Sequence, residues 1–327
     1  MKKYAYVQIN GGLGKNLAFT QLTKEIKEKY DFLAVTSPYT DIFECCPYVD
    51  YVYKPNEMKD FISDAKFNNG EIFIDRIYDS SDFIYKRISY ADAYRQMMHL
   101  KPKENKNGSD TTIELNPIKK FPQTQNQINE IIKAIKDNGF EDFIIVQFEG
   151  GQSPLDVPPM DKDGKPDWSK KPTNYDNEPL KRHYPFEKAQ EFINKFREEK
   201  PKTAVIVYQL PNEHHYEGTF QFIMPYLVYY ELAKLEECKG ILCIDSSLHH
   251  LVAGLNKTVV IWGHSLPTSF GYEYDKNIIQ NCNRDDILYF SALGASGARI
   301  DYIEPNELVK EFLDYIEDKN DNESKKM

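Results

Sequence analysis

Apolar residues recur along this chain in short unbroken runs and in helical spacing, and the two signals alternate. Residues 4–9 read as a buried strand, and 16–30 as a helix with Leu17, Phe19, Leu22 and Ile26 near helical spacing. Residues 32–36, 51–53 and 71–75 read as further short strands separated by turn-rich or helical pieces. A polar interval follows, because 101–110 and 116–127 carry Pro, Asn, Gln and Lys with little apolar content. The rhythm then restarts, with a helix at 128–135 and strands at 142–148, 204–209, 240–244 and 258–262. Such alternation implies mainly parallel sheets with helices on both faces. The pattern therefore predicts two Rossmann-like α/β domains, 1–120 and 121–316, the second including a last helix at 305–316. A charged tail, 317–327, is expected to fray. Residues 153–179, rich in Pro, Asp and Lys, are expected to lie as a long loop over the cleft.

Composition narrows the picture. At 327 residues the chain suits two domains, and 41% hydrophobic and 13% aromatic content is too apolar for a disordered chain. The N-terminus runs from Met1-Lys2-Lys3 straight into the first strand, and no apolar run reaches spanning length. A cytoplasmic location without stable membrane insertion is the expectation. Cys45, Cys46, Cys238, Cys243 and Cys282 form neither CxxC pairs nor a regular disulfide framework, which fits a reducing compartment. A net charge of -10 argues against broad, nonspecific nucleic-acid binding, which needs many cations on one face.

Two segments carry candidate chemistry. Gly11-Gly12-Leu13-Gly14 follows the first strand and opens a helix, where glycines admit close backbone approach and helix amides attract negative charge. It is not a P-loop, because Ile9 and Asn16 stand where that motif needs Gly and Ser or Thr. Nor is it a dinucleotide fingerprint, because Leu17 occupies the last glycine position. A tight first turn between strand and helix is the alternative these glycines also suit. The second segment is a buried strand, 241–244, ending in Asp245-Ser246-Ser247-Leu248-His249-His250 and followed by the strand 258–262 and Gly263. Hydroxyls and helix-start amides at the carboxyl edge of a sheet suit a diphosphate. The same residues also suit a plain helix cap with His250 packed in the core.

The Asp-Ser-x-x-x-His-Leu pattern at Asp245, Ser246 and His250, followed by a hydrophobic strand and Gly263, resembles the donor motif of glycosyltransferase family nine, the heptosyltransferase-like enzymes. Ser247 stands where that family has glycine. Gly11 through Thr20 resembles its first Gly-rich turn and helix. Residues 146–151, with Glu149, and Lys181-Arg182-His183-Tyr184-Pro185 resemble its second-domain turn and basic element. The likeness is specific in about four short blocks and is nearest to divergent members that tailed phages encode. It implies a GT-B fold, two Rossmann-like domains whose parallel sheets face a central cleft.

The resemblance also implies transfer of a hexosyl, heptosyl or pentosyl group from a nucleoside-diphosphate sugar, with inversion and without metal or other cofactor. Donor contacts would then fall on Lys181, Arg182, Asp245, Ser246, Ser247, His250, Gly263 and His264, the last two in the loop after the strand 258–262. Gly11, Gly12, Gly14 and Asn16 would bound the cleft on the acceptor side. The family places its base, an Asp, where this chain has Lys15, so the base does not carry over. Lys15 is then expected to bind an anion, while Asp75 or Glu149, both at strand ends, or another cleft carboxylate takes the proton. The acceptor implied is a saccharide or glycolipid, with a hydroxymethylated DNA base as the alternative.

Other readings stay open. Lys15 at the base position also suits a sugar-nucleotide-binding protein without catalysis. A nicotinamide enzyme lacks a complete fingerprint in either half. Asp161-Lys162-Asp163-Gly164 begins like a calcium loop, but Pro172 replaces the twelfth-position Glu. Glu213-His214-His215 reads as loop surface rather than a metal site, and none is predicted.

Overall fold

The computed structural model describes residues 2–85, 88–104, 107–150, 183–209, 214–255, 258–263, 265–279, 300 and 303–324. Four candidate features therefore lie outside the described residues: Lys181, Arg182, His264 and the 153–179 insertion.

Two parallel sheets form. The first contains β1 (Tyr4–Gln8), β2 (Phe32–Thr36), β3 (Tyr51–Tyr53) and β4 (Glu71–Ile74), in the order β3-β2-β1-β4. The second contains β5 (Asp142–Val146), β6 (Thr203–Val207), β7 (Phe220–Gln221), β8 (Cys238–Ile244), β9 (Thr258–Trp262) and β10 (Lys276–Ile279), in the order β10-β9-β8-β5-β6-β7. In each sheet the chain builds strands to one side and then crosses to the other side of its first strand. The crossing points are β1/β4 and β5/β8, and ligands of such sheets bind in the crevice at the carboxyl ends of those strands.

Alternation along the strands fixes the layers, because successive side chains point to opposite faces. Ala5 and Val7 pack with Phe19, Leu22, Ile26 and Tyr94 on one face of the first sheet, and Tyr6 and Ala34 with Phe61 and Ala65 on the other. In the second sheet Ile144, Val146, Leu242 and Ile244 pack with Phe192, Phe196 and Phe312. Phe143, Ile145, Ile241 and Cys243 face Ile131, Val228 and Leu248. That last cluster continues into Leu17, Ile42, Cys45 and Cys46 of the first half, so the halves share one apolar seam. Cys45, Cys46, Cys238 and Cys243 are buried.

Three expectations change. The helix expected at 16–30 is two helices, Leu13–Thr20 and Thr23–Lys29. Hydroxyls interrupt it: Thr20 Oγ1 donates to Leu17 O at 2.7 Å and Thr23 Oγ1 to Thr20 O at 2.6 Å. Gly14 and Lys15 consequently stand in a first helical turn, not in the turn before it. The last helix runs Pro305–Ser324, continuing into the segment expected to fray. A helix occupies Gln123–Asp137, beginning inside the polar interval, because Ile128, Ile131 and Ile135 supply a buried stripe. Among the described residues no helix is long and apolar enough to cross a membrane.

Candidate active site

The candidate residues sit at the two crossing points. On the first sheet, Gly11 has φ +92°, a left-handed backbone that favours glycine, and Gly12 returns to extended geometry before the Leu13–Thr20 helix. Asn16 is fully buried: its Nδ2 donates to Gly12 O at 2.9 Å, and its Oδ1 accepts from Ser37 Oγ at 2.6 Å. Asn16 therefore clamps the turn from inside. Lys15 turns the other way, its Nζ 2.7 Å from Asp75 Oδ2 and 4.3 Å from the centre of the Tyr78 ring. Asp75 is held by its backbone, donating from N to Gln8 O at 2.9 Å, and by Ile77 N on Oδ1 at 3.3 Å.

On the second sheet, Ser246 is extended and starts a helix of only five residues, Ser247–Leu251. Its hydroxyl donates to Gln147 Oε1 across the β5/β8 crossing instead of capping the helix. Ser265 Oγ donates to Asp245 Oδ2, and Ser247 Oγ lies 3.2 Å from Tyr208 OH. Gly263 is buried. Glu149 Oε1 accepts from Tyr216 OH at 2.8 Å and pairs with His214 Nδ1 at 2.6 Å. His214, expected to be loop surface, thus touches a candidate base while stacking on Phe186 at 4.8 Å. Gly150 N donates to His183 Nδ1 at 3.2 Å, which brings the chain just after Lys181 and Arg182 to the end of β5.

The two crossing points meet at Gly14. A Cβ added there would lie 2.7 Å from His250 Cδ2 and 3.6 Å from Ser247 Cα, so the first-half helix seats directly on the donor-motif helix. Tyr90 adds an edge contact to the His250 ring at 5.6 Å. Behind it, His250 Nδ1 lies 2.8 Å from Tyr272 OH, which accepts from Gln21 Nε2 at 2.7 Å. Burial, with His249 adjacent, pushes the His250 imidazole down to about 3, and Asp245 opposes this only in part. The ring is neutral at pH 7.

His249 and Asp275 were missed at the level of sequence. His249 Nε2 lies 2.7 Å from Asp275 Oδ2, while its Nδ1 is buried without a hydrogen bond among the described residues. Asp245, His249 and His250 each offer one possible ligand atom within 4.8 Å of the others. Each histidine engages one ring nitrogen elsewhere, His249 Nε2 with Asp275 and His250 Nδ1 with Tyr272. Spacing of adjacent histidines in sequence gave no such signal, because the third group arrives through the turn after β8.

No protein-family model and no curated protein sequence matches the chain. Solved structures do. The chain is similar to E. coli ADP-heptose lipopolysaccharide heptosyltransferase II, with TM-score 0.64, 11% identity and 97% of this chain and 99% of that one covered. A family 9 glycosyl transferase from Veillonella parvula gives TM-score 0.60 at 10% identity, covering 97% and 98%. E. coli heptosyltransferase WaaC with ADP gives 0.55 at 10%, covering 96% and 99%. The fold is GT-B. The β1/β4 and β5/β8 crossings approach one another at the Gly14–His250 contact.

Proposed function

We propose that this protein is a glycosyltransferase that takes a sugar from a nucleoside-diphosphate sugar and passes it to a hydroxyl acceptor. The observation that carries the reading is the convergence at Gly14: the residues of both crossing points, which suit a bound ligand by their position on their sheets, meet there. The structural neighbours support a nucleotide-sugar donor, one being an ADP-heptose heptosyltransferase and another a heptosyltransferase with ADP.

In this reading the donor lies against the second half. Asp245, Ser246, Ser247, His250 and Gly263 line it, with His264 following. Transfer requires stabilisation of the charge that grows on the leaving diphosphate. Lys181 and Arg182 serve that need by charge-assisted hydrogen bonds, in place of a metal. The five-residue Ser247–Leu251 helix contributes little dipole of its own, which puts more weight on those two cations. Displacement of the diphosphate by the acceptor oxygen in one step inverts the anomeric carbon.

The acceptor lies against Gly11, Gly12 and Gly14. Its hydroxyl proton goes to Asp75 or Glu149. Glu149 is the more accessible chemically, because His214, half-exposed at its side, links it to solvent. Asp75 is available once Lys15 swings to an anion. A saccharide or glycolipid is the acceptor class the reading favours.

The experiment is a thermal-shift screen of nucleotide sugars followed by transfer or hydrolysis assays. A ligand binding only the folded state raises its stability by RT ln(1 + [L]/Kd). Stabilisation by a nucleoside diphosphate sugar and release of the diphosphate support the proposal. Binding without any turnover, even slow hydrolysis, would reduce the protein to a sugar-nucleotide-binding module.

A further inference from the structure

A chain of hydrogen bonds runs from the first half of the molecule into the donor-motif histidine, and its direction can be deduced. Gln21 Nε2 lies 3.3 Å from His250 O. A carbonyl oxygen only accepts, so the amide nitrogen is the end that faces His250. Gln21 Oε1, at the other end, accepts from Thr111 Oγ1 at 2.8 Å, which agrees with that orientation. The same Nε2 lies 2.7 Å from Tyr272 OH, so the phenol oxygen accepts there. Burial pushes the Tyr272 hydroxyl well up, with the Gln21 hydrogen bond opposing, so it keeps its proton.

That proton has one acceptor among the described residues, His250 Nδ1 at 2.8 Å. The reverse arrangement, with a hydrogen on Nδ1, would aim two donors at one phenol oxygen and leave its own hydrogen without a partner in a fully buried place. His250 Nδ1 is therefore the acceptor, and the ring hydrogen sits on Nε2. The Cδ2–Nε2 edge of the ring faces Gly14, whose added Cβ would lie 2.7 Å and 3.5 Å from those two atoms. Nε2 makes no hydrogen bond with any described residue.

We propose that Tyr272 and Gln21 are positioning residues that hold His250 in the Nε2–H tautomer, so that it donates a hydrogen bond to an oxygen of the donor substrate in the cleft. This rests on the donor-site reading above. Gln21 belongs to the first half and His250 to the second, so the correct tautomer is guaranteed only while the two halves are seated together. A neutral N–H donor at that place suits a phosphate oxygen or a sugar hydroxyl and does not suit a general base. The role differs from that of a packed histidine, for which either tautomer would serve.

The test begins without substrate. Long-range 15N NMR of the full chain labelled at histidine, with the His250 signals assigned by their loss in His250→Gln, reads the tautomer directly. The expected result is a protonated Nε2 and a bare Nδ1. Tyr272→Phe should convert this to a mixture of tautomers. Gln21→Glu, which places an acceptor beside the phenol, should turn Tyr272 toward residue 21 and move the ring hydrogen to Nδ1. ADP affinity then separates the contacts. A fall of about two- to tenfold in Tyr272→Phe locates the accepted bond on the diphosphate. Unchanged ADP affinity with weakened binding of ADP-glucose or UDP-glucose locates it on the sugar. A hydrogen on Nδ1 in the wild type, or a Tyr272→Phe variant with unchanged tautomer and unchanged binding of all three probes, overturns the proposal. The expected tautomer in a protein that binds none of them overturns the donor-site reading and leaves the hydrogen-bond assignment standing.

Discussion

Lys15 Nζ and Asp75 Oδ2 stand 2.7 Å apart, with side chains 8% and 0% exposed, and so join the helix after β1 to the end of β4 across the first crossing point. Sixty residues separate them in sequence, roughly the whole first sheet. Removal of one partner strands a buried charge, a loss of about 3–5 kcal/mol. Lys15→Met should therefore destabilise strongly in urea unfolding, and Lys15→Met with Asp75→Leu should recover much of the loss. Transfer activity should not recover with it. A double variant that regains wild-type turnover would remove both residues from the reaction.

Gly14 offers a sharper contrast. Ala at position 14 meets the His250 ring at 2.7 Å, and that ring is backed by Tyr272 and Tyr90, whereas Ala at position 12 meets nothing within 4 Å. Gly14→Ala is expected to cost about 1–3 kcal/mol by overpacking and to weaken donor binding. Gly12→Ala should leave the melting temperature within about a degree, because a surface change with no new contact is nearly neutral. Equal melting temperatures for the two variants would mean that the halves do not seat as described.

His250 makes stability depend on pH in a defined window. Its ordinary value is 6.5 and the folded value about 3. Above 6.5 both states are neutral; between 6.5 and 3 the unfolded chain binds a proton that the folded one refuses. Stability therefore falls as pH falls, by up to about 1.4 kcal/mol per unit from this group. His250→Gln should show a shallower slope between pH 6 and 4 in denaturant titrations. Parallel slopes would refute the burial argument.

Arg95 secures the segment that leads from one half to the other. The fully buried guanidinium reaches Glu25 at 2.7 and 2.9 Å, Asp110 at 2.8 Å and Asp92 at 3.0 Å. Hydrogen bonds from Arg95 hold the Glu25 carboxyl below its usual range against burial. Arg95→Met removes the cation beside Asp92, 1% exposed, though Asp92 Oδ1 still accepts from Lys103 N at 2.8 Å, and should cost about 3–5 kcal/mol. Arg95→Lys keeps a charge but not the planar fork, so a smaller loss is expected. Calorimetry of the two variants checks the order.

Chelation tests the leaving-group argument. If Lys181 and Arg182 serve the diphosphate as proposed, transfer should persist in excess EDTA. Loss of activity restored by a divalent ion would shift attention to Asp245, His249 and His250.

The alternating pattern made the two sheets visible in sequence, because buried parallel strands must be apolar runs and their crossing helices must carry stripes. The edges where the candidates lie follow from that same alternation. Asp75 and Glu149 were legible as strand-end carboxylates, and Asp245 through His250 as a strand-to-helix block. Their partners were not. Nothing near Lys15 in sequence announces Asp75, and nothing near Gln21 announces Tyr272, 251 residues away. Asn16 was legible as the residue that follows the Gly-rich turn, but its bond to Ser37, at the end of β2, was not.

Sequence by itself determined the class of fold, since hydrophobic period and strand length are local properties that each segment carries alone. Only the tertiary structure decided the charges, tautomers and contacts of the cleft. Those depend on which groups from distant segments share a volume without water, and there a single neighbour, Asp75 for Lys15 or Tyr272 for His250, sets what a side chain can do.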